Sequence, residues 1–262
     1  MPRDAAETRR EIAAGLKRGA LIGLVISALA LPTIHLARTH ASAKPAASVA
    51  AASEPATRGV PRFADFGDVD PPADVRRIAD WATDSRDNGK LDFVVLDKRE
   101  AHVYVFDPDG RLRAHTPVLL GAAAGDDTVE GVGQKPLHQV RPEERTTPAG
   151  RFIGESGRNA DGEDVFWVDY AAAVSMHRVR QIEPSERRLE RLASPTPADN
   201  RISYGCINMP TDFYDTVMVP TFRGKRGMVY VLPEVRSFDE VFPATYDVAA
   251  RYRSSLLHAS AR

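Results

Sequence analysis

From Leu91 onward the apolar residues recur at every second position, and that period commits most of the chain to β-structure. Residues 92–97 and 101–106 read as two strands, Asp107-Pro108-Asp109-Gly110 as a tight turn, and residues 111–120 as a third strand. Strands joined this way make an antiparallel meander. Arg111, Arg113 and His115 share one face of the third strand, which reads as solvated, and His102 reads as a strand residue without a chemical part. Residues 147–152, 165–170 and 227–233 carry the same strand signature. Between two of them Asn159-Ala160-Asp161-Gly162-Glu163-Asp164 makes a hairpin turn; it lacks the remaining ligand positions and terminal glutamate of a calcium loop.

The stretch before the strands differs in kind. Arg9, Arg10, Lys17 and Arg18 stand before an apolar run, residues 19–31, that ends in Ala41-Ser42-Ala43, the outline of a secretory signal. Extended to Leu36, the run would serve as an uncleaved membrane anchor. Either way, residues 1–43 export the rest of the chain, and the Ala/Pro-rich residues 44–69 form a linker. Within residues 70–89, Val75, Ile78, Ala79 and Ala82 repeat at helical spacing after Asp70-Pro71 and before Asn88-Gly89, so one amphipathic helix is expected to pack on the sheet.

Several function classes drop out early. A 43% hydrophobic content suits one globular domain, and a net charge of −1 offers nothing to nucleic acid. The small, acidic stretch from Gly121 to Gly133 contains no Gly-x-x-x-x-Gly-Lys-Ser/Thr and reads as a mobile loop. No His-Glu-x-x-His or Cys-x-x-Cys occurs, which disfavours a metal hydrolase. A single cysteine also leaves no intramolecular disulfide.

That cysteine, Cys206, lies in Ser203-Tyr204-Gly205-Cys206-Ile207-Asn208-Met209-Pro210. Gly205 permits a sharp turn presenting the thiol, and Pro210-Thr211-Asp212 opens a short helix to about Val219. Upstream, His177 ends the apolar run 171–176, which fixes it on a strand. A free thiol titrates near ~8.5, and lowering that by ~2 units takes about 2.7 kcal/mol. A helix N-terminus supplies roughly 0.3–1 kcal/mol, so an imidazole partner is required, and His177 is the natural one.

Met176-His177 and Ser203–Asn208, preceded by Thr147-Pro148-Ala149-Gly150-Arg151-Phe152, resemble the L,D-transpeptidase catalytic-domain family of bacterial peptidoglycan enzymes over residues 90–233. The resemblance implies a mainly β fold, an L,D-transpeptidase-type β-sandwich with short flanking helices, followed by a C-terminal extension at residues 234–262. It implies Cys206 as nucleophile and His177 as its base, with the Arg178 backbone carbonyl orienting the imidazole. Backbone amides around Tyr204, Gly205 and Cys206 would form an oxyanion hole, although Arg178 and Tyr204 replace the family's frequent Gly and His. Residues 178–205 separate His177 from Cys206, a longer interval than usual, and read as an insertion with a short helix at residues 185–192.

The implied partners are peptidoglycan stem peptides and an amine-bearing envelope protein, with no cofactor, no nucleic acid and the membrane touched only through the N-terminal segment. Most of the insertion's arginines read as a solvated surface. Arg201 or Arg178 could grip a stem carboxylate, since guanidinium forks bind carboxylates bidentately, and Asn208 and Ser203, the latter alternatively supporting the turn by hydrogen bonding, complete the expected substrate contacts. An L,D-carboxypeptidase or amide hydrolase would use the same thiol, and a catalytically silent wall-binding module would keep the fold alone. Residue identity does not separate these alternatives.

Overall fold

Phe93 and Val95 point to one side of the first strand and Val94 and Leu96 to the other, and each pair enters a different core. This computed structural model describes residues 60–260. The expected signal or anchor segment and the linker up to residue 59 lie outside the described residues. In chain order the strands are β1 (Phe93–Asp97), β2 (His102–Phe106), β3 (Leu112–Pro117), β4 (Leu120–Gly121), β5 (Gly150–Arg158), β6 (Asp164–Asp169), β7 (Val174–Arg178), β8 (Arg201–Ser203), β9 (Ile207–Met209) and β10 (Arg226–Val231). Eight form one mixed sheet in the order β3-β2-β1-β10-β5-β6-β7-β9, while β4 and β8 pair separately. The chain is therefore mainly β, and the expected meander is β1, β2 and β3, antiparallel throughout.

The eight-stranded sheet curls until its ends meet. Just past β3 at one edge, Leu119 exchanges two 2.9 Å backbone hydrogen bonds with Asn208 of β9 at the other. Val103 and Val105 of β2 consequently share a core with Met176 of β7 and Ile207 and Met209 of β9. Helix α3 (Thr211–Phe213), a π-helical turn (Tyr214–Met218) and α4 (Val219–Phe222) close that core through Tyr214, Met218 and Phe222.

The second core lies under helix α1 (Ala73–Ser85), which buries Val75, Ile78, Ala79, Trp81 and Ala82 against β1, β2 and β10 as its spacing predicts. Arg86 in the left-handed region ends it three residues before the expected Gly89 stop. From the expected C-terminal extension, Phe238 of α5 (Phe238–Val241) and Phe242 enter this same core. Tyr246 bonds Asp84 at 2.7 Å and Arg77 pairs with Asp239 at 2.5 Å. The face carrying Arg111, Arg113 and His115 is exposed as expected, and on it His115 Nδ1 lies 2.8 Å from His102 Nε2. Burial, then the His115 charge, lowers His102 to about 4.

Residues 121–149, expected to begin as a mobile loop, are pinned. Asp126 is buried and accepts the backbone N–H groups of Glu234, Val235 and Arg236 at 2.9, 2.8 and 2.6 Å, together with Lys98 Nζ at 2.6 Å. Lys98 is itself fully buried and also donates to the Gly125 and Thr147 carbonyls. The interval between His177 and Cys206 has a topological reason: β7 and β9 are parallel neighbours, and a parallel pair needs a crossover connection of a dozen or more residues. Residues 179–206, including helix α2 (Arg188–Leu192) and β8, are that crossover.

Candidate active site

The parallel register of β7 and β9 sets His177 opposite Asn208 and Met176 opposite Ile207. Because Met176, Ile207 and Met209 enter the first core, alternation turns Ser175, His177 and Asn208 to the opposite face, where Cys206 stands at the start of β9. Cys206 Sγ is 3.7 Å from Ser175 Oγ and 3.5 Å from the Ala173 carbonyl. The half-buried thiol is pushed up by burial; the hydrogen bond and charge of His177, then the Ser175 amide and hydroxyl, pull it down further, so it ionises below its ordinary value.

His177 Nδ1 is 2.7 Å from the Arg178 carbonyl oxygen, the backbone acceptor expected to orient it. A carbonyl only accepts, so the neutral ring carries its proton on Nδ1 and leaves the Nε2 lone pair for the thiol proton. Asn208, fully buried, has Nδ2 3.5 Å from Nε2 and 3.2 Å from the Cys206 carbonyl.

The turn before the thiol is fixed from both sides. Gly205 has φ +124°, and a Cβ there would lie 2.6 Å from the Thr146 carbonyl oxygen, so only glycine fits. Ser203 Oγ donates to the Cys206 carbonyl at 2.6 Å and accepts the Gly205 N–H at 3.1 Å. Thr147 of the Thr-Pro-Ala-Gly stretch donates its hydroxyl to the Gly205 carbonyl at 2.9 Å and accepts the Gly121 N–H. That stretch thus holds the nucleophile's turn in place.

These contacts revise four expected site roles. The Gly205 amide is taken by Ser203 and is not free for an oxyanion, and the buried Ser203 hydroxyl closes the turn instead of meeting substrate. The Arg201 guanidinium pairs with Glu234 and donates to the Lys98 carbonyl at 2.8 Å, so it braces the buried ionic cluster. The Arg178 guanidinium is likewise engaged, bonding Asp164 at 2.9 Å and Asp215 at 2.5 Å above the Tyr214 ring; only its backbone serves the histidine. Tyr204 is partly exposed, with the Arg145 guanidinium 4.3 Å from its ring centre.

Sequence reasoning missed two contributors. Ser175 sits two residues before His177, on the same strand face, and that spacing is a usable signal. Arg188, whose Nη1 donates to Asn208 Oδ1 at 2.6 Å, has none, being one arginine among several in the crossover. A cleft of about 560 Å³ between Asp164, Tyr214 and Phe222 contains neither Cys206 nor His177. Among the described residues no group of three or more His, Cys, Asp or Glu is placed to hold a metal ion, and no helix is long and apolar enough to cross a membrane.

No protein-family model matches the chain, and neither does any curated protein. Solved structures do. The helical cell shape determining protein Pgp2 from Campylobacter jejuni is similar at 16% identity and TM-score 0.35, over 56% of this chain and 49% of that one. The catalytic domain of the Enterococcus faecium L,D-transpeptidase is similar at 18% identity and TM-score 0.31, over 55% of this chain and 98% of that one. An L,D-transpeptidase from Xylanimonas cellulosilytica is similar at 15% identity and TM-score 0.32, over 54% and 60%. The chain spans about half the length of Pgp2. The chemistry of the site rests on the distances around Cys206 and His177 and not on these likenesses.

Proposed function

We propose that this protein is a cell-envelope cysteine L,D-transpeptidase, an L,D-transpeptidase-type β-sandwich exported by residues 1–43 to the periplasm. Its substrate is a peptidoglycan stem tetrapeptide, cleaved between the L-centre of a diamino acid, usually meso-diaminopimelate, and the terminal D-Ala. The observation that carries this reading is the ordering of His177, with Nδ1 held 2.7 Å from the Arg178 carbonyl, on the sheet face that carries the Cys206 thiol. A base oriented by a third group beside a thiol of lowered pKa is the requirement for nucleophilic catalysis.

That geometry supports the following steps. His177 Nε2 takes the thiol proton, and the thiolate adds to the carbonyl carbon. With the Gly205 amide on Ser203, the Tyr204 and Cys206 amides hold the oxyanion, each donor contributing on the order of 10²–10³-fold. The imidazolium returns its proton to the D-Ala amine as the C–N bond breaks, leaving a thioester on Cys206. An amine acceptor then gives a proton to His177 and displaces the thiol. A second stem as acceptor makes a 3→3 crosslink, an envelope-protein lysine anchors that protein, and water makes the enzyme a carboxypeptidase.

D-Ala release from a stem tetrapeptide tests the reading. Wild type is expected to release D-Ala, and Cys206→Ala and His177→Ala to fall to background. Adding a second stem or a lysine peptide identifies the acceptor by the mass of the product. Absence of release by a folded wild-type protein would support the silent wall-binding module instead.

A further inference from the structure

The crossover between β7 and β9 delivers one guanidinium to the site. Its neighbours are engaged elsewhere: Arg180 pairs with Asp161 at 3.0 Å, Arg187 with Glu190, and Arg191 donates to the Glu186 and Asp199 carbonyls. Arg188 opens α2 with its side chain only 14% exposed. Its Nε donates to Glu186 Oε2 and its Nη1 to Asn208 Oδ1, both at 2.6 Å.

A guanidinium only donates, so Asn208 must turn its oxygen to Arg188 and its nitrogen the other way. On that other side the nitrogen donates to the Cys206 carbonyl at 3.2 Å and lies 3.5 Å from His177 Nε2. We propose that Arg188 is a positioning residue for the thiol–imidazole pair, acting by locking the Asn208 amide so that its nitrogen spans the Cys206 carbonyl and the His177 ring edge. An amide turned over would set two oxygens against each other at Cys206. It would also offer Nε2 an acceptor that competes with sulfur for the imidazole proton. Arg188 is donor-only at any working pH, which makes the lock one-way.

The inference rests on Cys206 and His177 being the working pair, and the test separates the two. Alkylation of Cys206 is followed by intact mass from pH 5 to 9 with neutral iodoacetamide and anionic iodoacetate, using full-length wild type, Arg188→Ala, Arg188→Lys, Asn208→Ala and the double alanine variant. Arg188→Ala is expected to slow both reagents on the order of tenfold at neutral pH, as a small misplacement of reacting groups does. Arg188→Lys should recover part of that loss, and it keeps the test open if the alanine variant fails to fold. The double variant should be no slower than Asn208→Ala, because both substitutions remove one device. Unchanged rates in Arg188→Ala, additive losses in the double variant, or a loss confined to the anionic reagent would each overturn the proposal. A wild-type thiol titrating like a free one, near ~8.5, would instead remove the catalytic reading on which it stands.

Discussion

Two polar clusters lie on either side of Thr147 and have opposite characters. On one side Lys98 Nζ meets the Gly125 carbonyl, Asp126 and the Thr147 carbonyl at 2.6, 2.6 and 2.8 Å, with Glu234 at 3.5 Å. Every ammonium proton has a partner, and Asp126 has three amides besides. On the other side Cys206 has long contacts only, 3.5 Å to the Ala173 carbonyl and 3.7 Å to Ser175 Oγ, while His177 is held at 2.7 Å through Nδ1 and meets Asn208 Nδ2 only at 3.5 Å. A buried charge with all its partners is scaffold. A group held firmly from behind and loosely in front is poised to react, and Thr147 joins the two by accepting from Lys98 and donating to Gly205.

The contrast predicts which substitutions strike activity and which strike stability. Cys206→Ala should cut D-Ala release on the order of 10⁴–10⁶-fold while leaving the melting temperature nearly unchanged, since the thiol carries chemistry and little packing. Lys98→Met should do the reverse, lowering stability by about 3–5 kcal/mol in denaturant titration because Asp126 keeps a buried charge without its cationic partner. Adding Asp126→Asn should recover part of that loss; a loss that instead doubles would show that the cluster is not one unit.

The next two substitutions fall on the join. Gly205→Ala forces a Cβ toward the Thr146 carbonyl in a left-handed backbone, and should cost roughly 1–3 kcal/mol together with slower thiol alkylation. Thr147→Val removes the bonds to Gly121 and Gly205 and should cost about 1–3 kcal/mol, with the same slowing to a lesser degree. If either variant melts earlier while Cys206 alkylates at the wild-type rate, the scaffold does not position the thiol.

Titration separates the clusters with the smallest effects. Burial opposes ionisation of Asp126, but the Arg236 amide, Lys98 and the Glu234 and Val235 amides outweigh it and lower its carboxyl to about 2. Its stabilising contribution is therefore complete above the ordinary carboxylate range near ~4 and is lost as pH falls toward 2, which acid unfolding of wild type against Asp126→Asn would reveal. The thiol is shifted in the same direction and reports on reactivity: the alkylation rate should rise through a pKa below that of an ordinary thiol and move upward in His177→Ala.

The legible parts of the molecule were the local ones. Period two disclosed β1 to β3, and Val75, Ile78, Ala79 and Ala82 disclosed the buried face of α1, because neighbours along the chain set both patterns. Cys206, His177 and the Arg178 carbonyl were legible through the motifs around them. Hidden were the contacts that close over long stretches of sequence. Nothing near Asp126 announces that Lys98 and residues 234–236 will satisfy it, so a small acidic stretch reads as a mobile loop. Arg178 and Arg201 look free to bind substrate because Asp164, Asp215 and Glu234 meet them only in the folded sheet. The parallel register of β7 and β9, which turns a long interval into a side-by-side pair, is a property of topology and leaves no local mark.

Cys206 is expected to become covalently acylated. Wild type and Cys206→Ala, incubated briefly with a stem tetrapeptide, quenched in acid and weighed intact, decide it. A mass gain equal to the acyl tripeptide on the peptide containing Cys206, one D-Ala released per adduct and no gain in the alanine variant is the predicted result. D-Ala released equally by both proteins, with no adduct on either, would contradict it.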